Sequence, residues 1–337
     1  MTEQTTTNPD AVIGTSGNDQ ITASTDVRAG DGNDSVQINP TYGNTQVITA
    51  EGESGHDTLT SESNSAVHLK GGEGNDNLSV NTGAGEGNPY APTTVLEGGT
   101  GNDVIHTTGT GSSILFNVGD GQDRLELDAN WQPHFNDFIE FGAGITLSDL
   151  RLMKFTDSAD LEIHVLQNGL TTGDALKIVA APGGSIADYA LQFNGGYRAS
   201  ISDISEVTVG TAQADNITTS NHTLAGAGDD TIHVNTVLGN TDVVIADGQS
   251  GNDTLTAESA SAIHLKGGTG EDTLIASHSP EASNPYAPTT LLEGGTGNDL
   301  IQLQTSGEGT HVIFNRGDGE DRIEMMNQNM GDNGDTV

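Results

Sequence analysis

Twelve aspartates of one recurring glycine-rich loop pattern are each followed, two positions later, by an apolar residue. The first six pairs are Asp19–Ile21, Asp34–Val36, Asp57–Leu59, Asp76–Leu78, Asp103–Ile105 and Asp123–Leu125. The second six are Asp215–Ile217, Asp230–Ile232, Asp253–Leu255, Asp272–Leu274, Asp299–Ile301 and Asp321–Ile323. Apolar and polar residues alternate around them, which predicts short strands with one face turned into a thin core. On the strand before each loop, Leu69, Leu96, Phe116, Leu265, Leu292 and Phe314 are expected on the same inward face. The aspartates step by 15, 23, 19, 27 and 20 residues, then by 15, 23, 19, 27 and 22. Two strands and two turns of about nine residues each make one coil of a parallel β-roll. One acidic loop per coil stacks the loops on one side, and the longer steps fit insertions at the opposite turn.

The two series of steps belong to one duplicated block. Asn88–Thr94 (NPYAPTT) returns at Asn284–Thr290, 196 positions later, and HLKGG at His68–Gly72 returns at His264–Gly268. The prediction is an all-β chain: two parallel β-rolls at residues 12–127 and 208–325, flanking a small β-rich domain at 128–207. In the middle, Leu161, Ile163 and Val165 alternate with polar residues as one strand. Asn168-Gly169 reads as a turn, and Leu176, Ile178 and Val179 as a second strand. Residues 1–11 read as a flexible N-terminal stretch. Residues 326–337 read as the start of a second middle domain, so the chain is expected to be a fragment of a longer protein.

Composition narrows the function. The chain has 337 residues, 48 acidic and 10 basic side chains, and a formal charge of −38. Such an excess of negative charge excludes nucleic acid or an anionic membrane surface as a charge-driven partner. With no cysteine there is no disulfide framework, thiolate nucleophile or Cys-type zinc site. No apolar stretch is long enough to span a membrane, and the N-terminus lacks the basic and apolar regions of a Sec signal peptide.

The loops themselves carry the chemistry. GGEGNDNLS at Gly71–Ser79 and GGTGNDVIH at Gly98–His106 fully match G-G-x-G-x-D-x-U-x, with U apolar. Gly71, Gly72, Gly74, Gly98, Gly99 and Gly101 permit positive φ and close backbone approach, and turn carbonyls into a common space. Gly267, Gly268, Gly270, Gly294, Gly295 and Gly297 do the same in the second block. Each aspartate adds a carboxylate. All-oxygen donors suit Ca²⁺, whereas zinc wants nitrogen or sulfur. Without a cation, stacked carboxylates repel by about 0.7 kcal/mol per pair at ~6 Å, even in water. A single such loop is equally well a solvated β-turn; twelve with shared spacing favour calcium. The loop at Asp215 has lost its glycine (Gln213-Ala214), so its site is the one expected to be empty. The loops at Asp57 and Asp253 lack the second glycine and are expected to be intermediate.

These nonapeptides resemble those of the RTX family, the haemolysin-type calcium-binding repeats of secreted bacterial proteins. The stretch from Asp137 to Val179 resembles the related domain found beside such repeats. The resemblance implies a β-roll, folding triggered by calcium, and export to the exterior by type I secretion machinery. It makes all twelve aspartates side-chain ligands and the loop glycines carbonyl ligands. Enzymatic readings find no motif: HExxH and GxSxG are both absent. An extracellular module that contacts a glycan or cell surface is the alternative, with Gly83–Thr94 and Glu281–Thr290 as its candidate contacts.

Overall fold

The computed structural model describes residues 11–40, 46–62, 66–81, 94–108, 112–127, 138–167, 170–179, 190–194, 196–236, 243–258, 262–277, 290–304 and 310–325. Both chain-end stretches expected from the sequence, the Pro-Tyr insertions, and the Asn168-Gly169 turn lie outside them, apart from their edges. The chain is nearly all β, in long parallel sheets, and divides into two compact units. The first comprises Met1–Leu152 with Ala159–Ser205, the second Met153–Ser158 with Glu206–Val337.

In the first unit consecutive strands alternate between two sheets. One sheet runs Val12–Ile13, Val27–Asp31, Ile48–Ser54, Val67–Glu73, Thr94–Thr100 and Ser112–Phe116, all parallel. The other runs Gln20–Ala23, Ser35–Ile38, Thr58–Ser61, Asn77–Val80, Val104–Thr107 and Gln122–Leu127, also parallel. Register places Val36, Leu59, Leu78, Ile105 and Leu125 in one row. Ala50, Leu69, Leu96 and Ile114 form a second row. Both rows are fully buried and belong to one core. The second unit repeats this plan, with Ile232, Leu255, Leu274 and Ile301 in one row and Ala246, Leu265 and Leu292 in the other. Side chains that alternate every two residues thus build a core one layer thick.

Two expectations need correction. The middle region is not a unit of its own. Phe138–Phe141 pairs in parallel with Ser112–Phe116, and Leu170–Val179 with Gln122–Leu127. The predicted hairpin does form, Leu161–Gln167 antiparallel to Leu170–Val179. Its Ile163, Val165, Leu176 and Ile178 join the first roll's core. A parallel sheet end leaves backbone groups and apolar side chains open, and the next stretch of chain covers them. Phe314 is the second correction: it is exposed, whereas Phe116 is buried as expected.

Candidate metal centre

The twelve aspartates form two unbroken hydrogen-bonded rows, one in each unit. In the first, the Asp19 N–H donates to Asp34 Oδ1, Asp34 to Asp57, Asp57 to Asp76, Asp76 to Asp103 and Asp103 to Asp123, at 2.7–3.0 Å. The second row runs from Asp215 through Asp230, Asp253, Asp272 and Asp299 to Asp321, at 2.7–3.1 Å. The loops therefore lie on one side of each roll, as the spacing predicts.

One oxygen of most of these carboxylates is left over. Asp34, Asp57, Asp76, Asp103, Asp230, Asp253, Asp272 and Asp299 are each at most 3 % exposed. In all eight, Oδ2 is buried and has no hydrogen-bond partner. A buried carboxylate oxygen without a partner is costly, and native proteins rarely keep one without a ligand. The first loop of each row is different. Asp19 Oδ2 accepts from Thr15 N–H at 2.6 Å and its hydroxyl at 2.8 Å. Asp215 Oδ2 accepts the same pair from Thr211, at 2.6 and 2.9 Å. The suspect character of the Asp215 loop thus extends to Asp19; in both loops a threonine, Thr211 or Thr15, stands where the second glycine would be.

In six of these eight loops the first residue is a glycine that borders the leftover oxygen; in the Asp34 and Asp230 loops it is Ala29 and Ala225. A Cβ placed on Gly71 would sit 2.2 Å from Asp76 Oδ2 and 2.4 Å from the Gly98 carbonyl. On Gly267 it would sit 2.3 Å from Asp272 Oδ2 and 2.4 Å from the Gly294 carbonyl. Gly98 and Gly294 face Asp103 and Asp299 in the same way, at 2.2 Å each. Each small space is therefore walled by a carboxylate of one loop and, at Gly71 and Gly267, a carbonyl of the next. The second and fourth glycines (Gly72, Gly74, Gly99, Gly101, Gly268, Gly270, Gly295 and Gly297) all have positive φ, and lie against the backbone of the preceding coil. They allow the coils to stack. Glu53 and Gln249 take the second position at φ 73° and 70°. The loops at Asp57 and Asp253 therefore keep the common geometry without that glycine.

Among the described residues no three acidic or histidine side chains converge. The oxygen-rich spaces instead combine single carboxylates with main-chain carbonyls, which suits a hard cation of flexible geometry. Burial, outweighing the main-chain hydrogen bond, pushes Asp76 and Asp253 up to about 6, Asp103 and Asp272 to about 7 and Asp123 to about 8. The neighbouring aspartate in the row adds repulsion in each case. No protein-family profile matches this chain, and a search of curated proteins finds no match. The likeness to RTX nonapeptides rests on the loops themselves.

Two sets of residues at this edge escaped the sequence reading. The residue before each aspartate forms a parallel ladder: Asn33 N–H to Asn18 Oδ1, His56 to Asn33, Asn75 to His56 Nδ1, Asn102 to Asn75 and Gln122 to Asn102. The recurring Asn-Asp pair was its signal. Asp120 and Asp174 are also buried; only Asp120, inside a GDG turn, had a local cue.

The raised carboxyls set a pH dependence. Each holds its proton to higher pH in the folded chain than in the unfolded one. The metal-free fold is thus favoured below the ordinary carboxyl value and loses that advantage as pH rises through about 6 to 8. Circular dichroism in EGTA is expected to show more β structure at about pH 5 than at about pH 8. More β structure at the higher pH would contradict this origin of the shifts.

Proposed function

We propose that this chain is a calcium-binding β-roll region of RTX type, from a bacterial protein secreted through type I machinery, and that it orders on binding Ca²⁺ outside the cell. The observation that carries this reading is the set of eight buried Asp Oδ2 atoms without partners, in two rows. Asp34, Asp57, Asp76 and Asp103 would hold ions in the first roll, and Asp230, Asp253, Asp272 and Asp299 in the second. The carbonyls of Gly71, Gly98, Gly267 and Gly294 would join them. When bound, calcium supplies the positive charge and the oxygen coordination that these groups otherwise lack. The chain's own contribution is to hold the carboxylates in register through the Oδ1 ladder and to keep the spaces clear through glycine. No catalytic role is part of this proposal.

Isothermal titration of the intact chain with calcium tests it. Aspartate-to-asparagine changes keep an Oδ1 acceptor for the ladder but remove the charge. Asp76→Asn with Asp103→Asn is expected to lower the number of bound ions and weaken the rest. Asp157→Asn, outside the rows, is expected to change neither. Equal stoichiometry in all three chains would defeat the proposal.

A further inference from the structure

The ladder of residues that precede the row aspartates is charged differently in the two rolls. In the first it is Asn18, Asn33, His56, Asn75, Asn102 and Gln122, without a carboxylate. In the second, Asp229, Glu271 and Glu320 stand where the first has Asn33, Asn75 and Gln122. All three are exposed. The ladder persists around them: the Asn252 N–H donates to Asp229 Oδ1 at 2.9 Å, the Glu271 N–H to Asn252 Oδ1 at 2.8 Å and the Glu320 N–H to Asn298 Oδ1 at 3.0 Å. The first roll carries exposed acids on the other lip of its loops instead. Asp31, Glu53 and Glu73 lie on the strands that lead into the loops, Val27–Asp31, Ile48–Ser54 and Val67–Glu73. Their counterparts in the second roll are the uncharged Ala227, Gln249 and Thr269.

The side matters because the ladder lip is the one that acts on the buried row. Burial foremost raises the carboxyls of Asp230, Asp253 and Asp299; the charge of Asp229 adds to it at the first two and that of Glu271 at the third. In the first roll the charges that act on Asp57 and Asp76 are those of Asp34, Asp57 and His56, not those of Asp31, Glu53 or Glu73. Next to the acidic ladder lie the buried Oδ2 atoms of Asp230, Asp253, Asp272 and Asp299, which have no partner.

We propose that Asp229, Glu271 and Glu320 set the calcium affinity of the second roll, which therefore loads at lower calcium than the first. This rests on the calcium reading above. Affinity of an oxygen site rises with the negative charge around it. At about 7 Å and physiological salt, one added unit charge changes the affinity for a divalent ion by roughly two- to threefold. The difference between the rolls is electrostatic, so it narrows as salt is raised.

Peptide-resolved hydrogen exchange of the intact chain along a calcium series tests the order. Thr273–Ser277 and Leu300–Leu303 are expected to gain protection at lower calcium than Asn77–Val80 and Val104–Thr107. Asp229→Asn, Glu271→Gln and Glu320→Gln together are expected to raise the second roll's midpoint by roughly threefold or more and to leave the first in place. Asn33→Asp with Asn75→Asp is expected to lower the first roll's midpoint, and keeps the Oδ1 acceptors for the His56 and Asn102 N–H groups. Asp31→Asn with Glu73→Gln, on the other lip, is expected to move it far less. Equal shifts from the two lips, or none from the triple variant, would overturn the proposal while leaving calcium binding intact. Protection of both rolls that ignores calcium would overturn it together with the calcium reading.

Discussion

Gly71→Ala is expected to abolish calcium binding around Asp76 while leaving the backbone conformation of its loop accessible. Gly71 does not have the positive φ of Gly72 and Gly74, so alanine meets no backbone penalty there. Its methyl group would instead stand 2.2 Å from Asp76 Oδ2 and 2.4 Å from the Gly98 carbonyl, well inside van der Waals contact. One or both oxygens must move, and the space between them is filled. Titration should show at least one ion fewer, and Gly267→Ala should behave alike in the second roll. Gln37→Ala, on the exposed face of Ser35–Ile38, should be neutral, within about 0.5 kcal/mol. If Gly71→Ala binds as many ions as the parent chain, a methyl group at this position is tolerated, as at Asp34 and Asp230, whose loops carry Ala29 and Ala225 there.

Removal of calcium is expected to unfold both rolls at neutral pH. Each contains four buried Oδ2 atoms without partners. At about 1–3 kcal/mol for each unsatisfied buried group, four of them cost on the order of 4–12 kcal/mol per roll. That equals the whole net stability of an ordinary domain, about 5–15 kcal/mol. A one-layer core of Leu, Ile and Val has little in reserve to offset it. Calcium at about ten times Kd returns roughly 1.4 kcal/mol per site, or on the order of 6 kcal/mol for four sites. Far-UV circular dichroism in EGTA should therefore show little β structure, and millimolar calcium should restore it. A complete β signal in EGTA would remove the folding switch, even if calcium still bound. A chain unfolded where calcium is scarce and folded where it is abundant is suited to passing an export channel.

The part of this architecture that was legible beforehand is the part that repeats. The distance from one aspartate to the next is the length of one coil. Equal spacing in sequence therefore becomes adjacency in space, and the Asp76–Asp103–Asp123 row could be named without coordinates. The apolar residue two places on follows from the two-residue alternation of a strand, and Leu78, Ile105 and Leu125 stack as read. Glu53 and Gln249 were less legible. Their identity argued against the loop, but stacking on both neighbours holds them at positive φ.

What only the tertiary structure decided are relations between residues with no common period. Asp174 lies 53 residues from Gly121, whose N–H it accepts. Residues 128–207 looked like a separate domain because their hydrophobic pattern differs, yet Phe138–Phe141, Leu161–Gln167, Leu170–Val179 and Ala190–Phe193 extend the sheets of the first roll. Phe116 and Phe314 sit in matching local sequences and have opposite exposures. The reason is common to all three. A periodic pattern specifies how a coil meets an identical coil, but the first and last coils meet something else. What they meet is set by which strand edges and carboxylate oxygens remain free once the roll has formed.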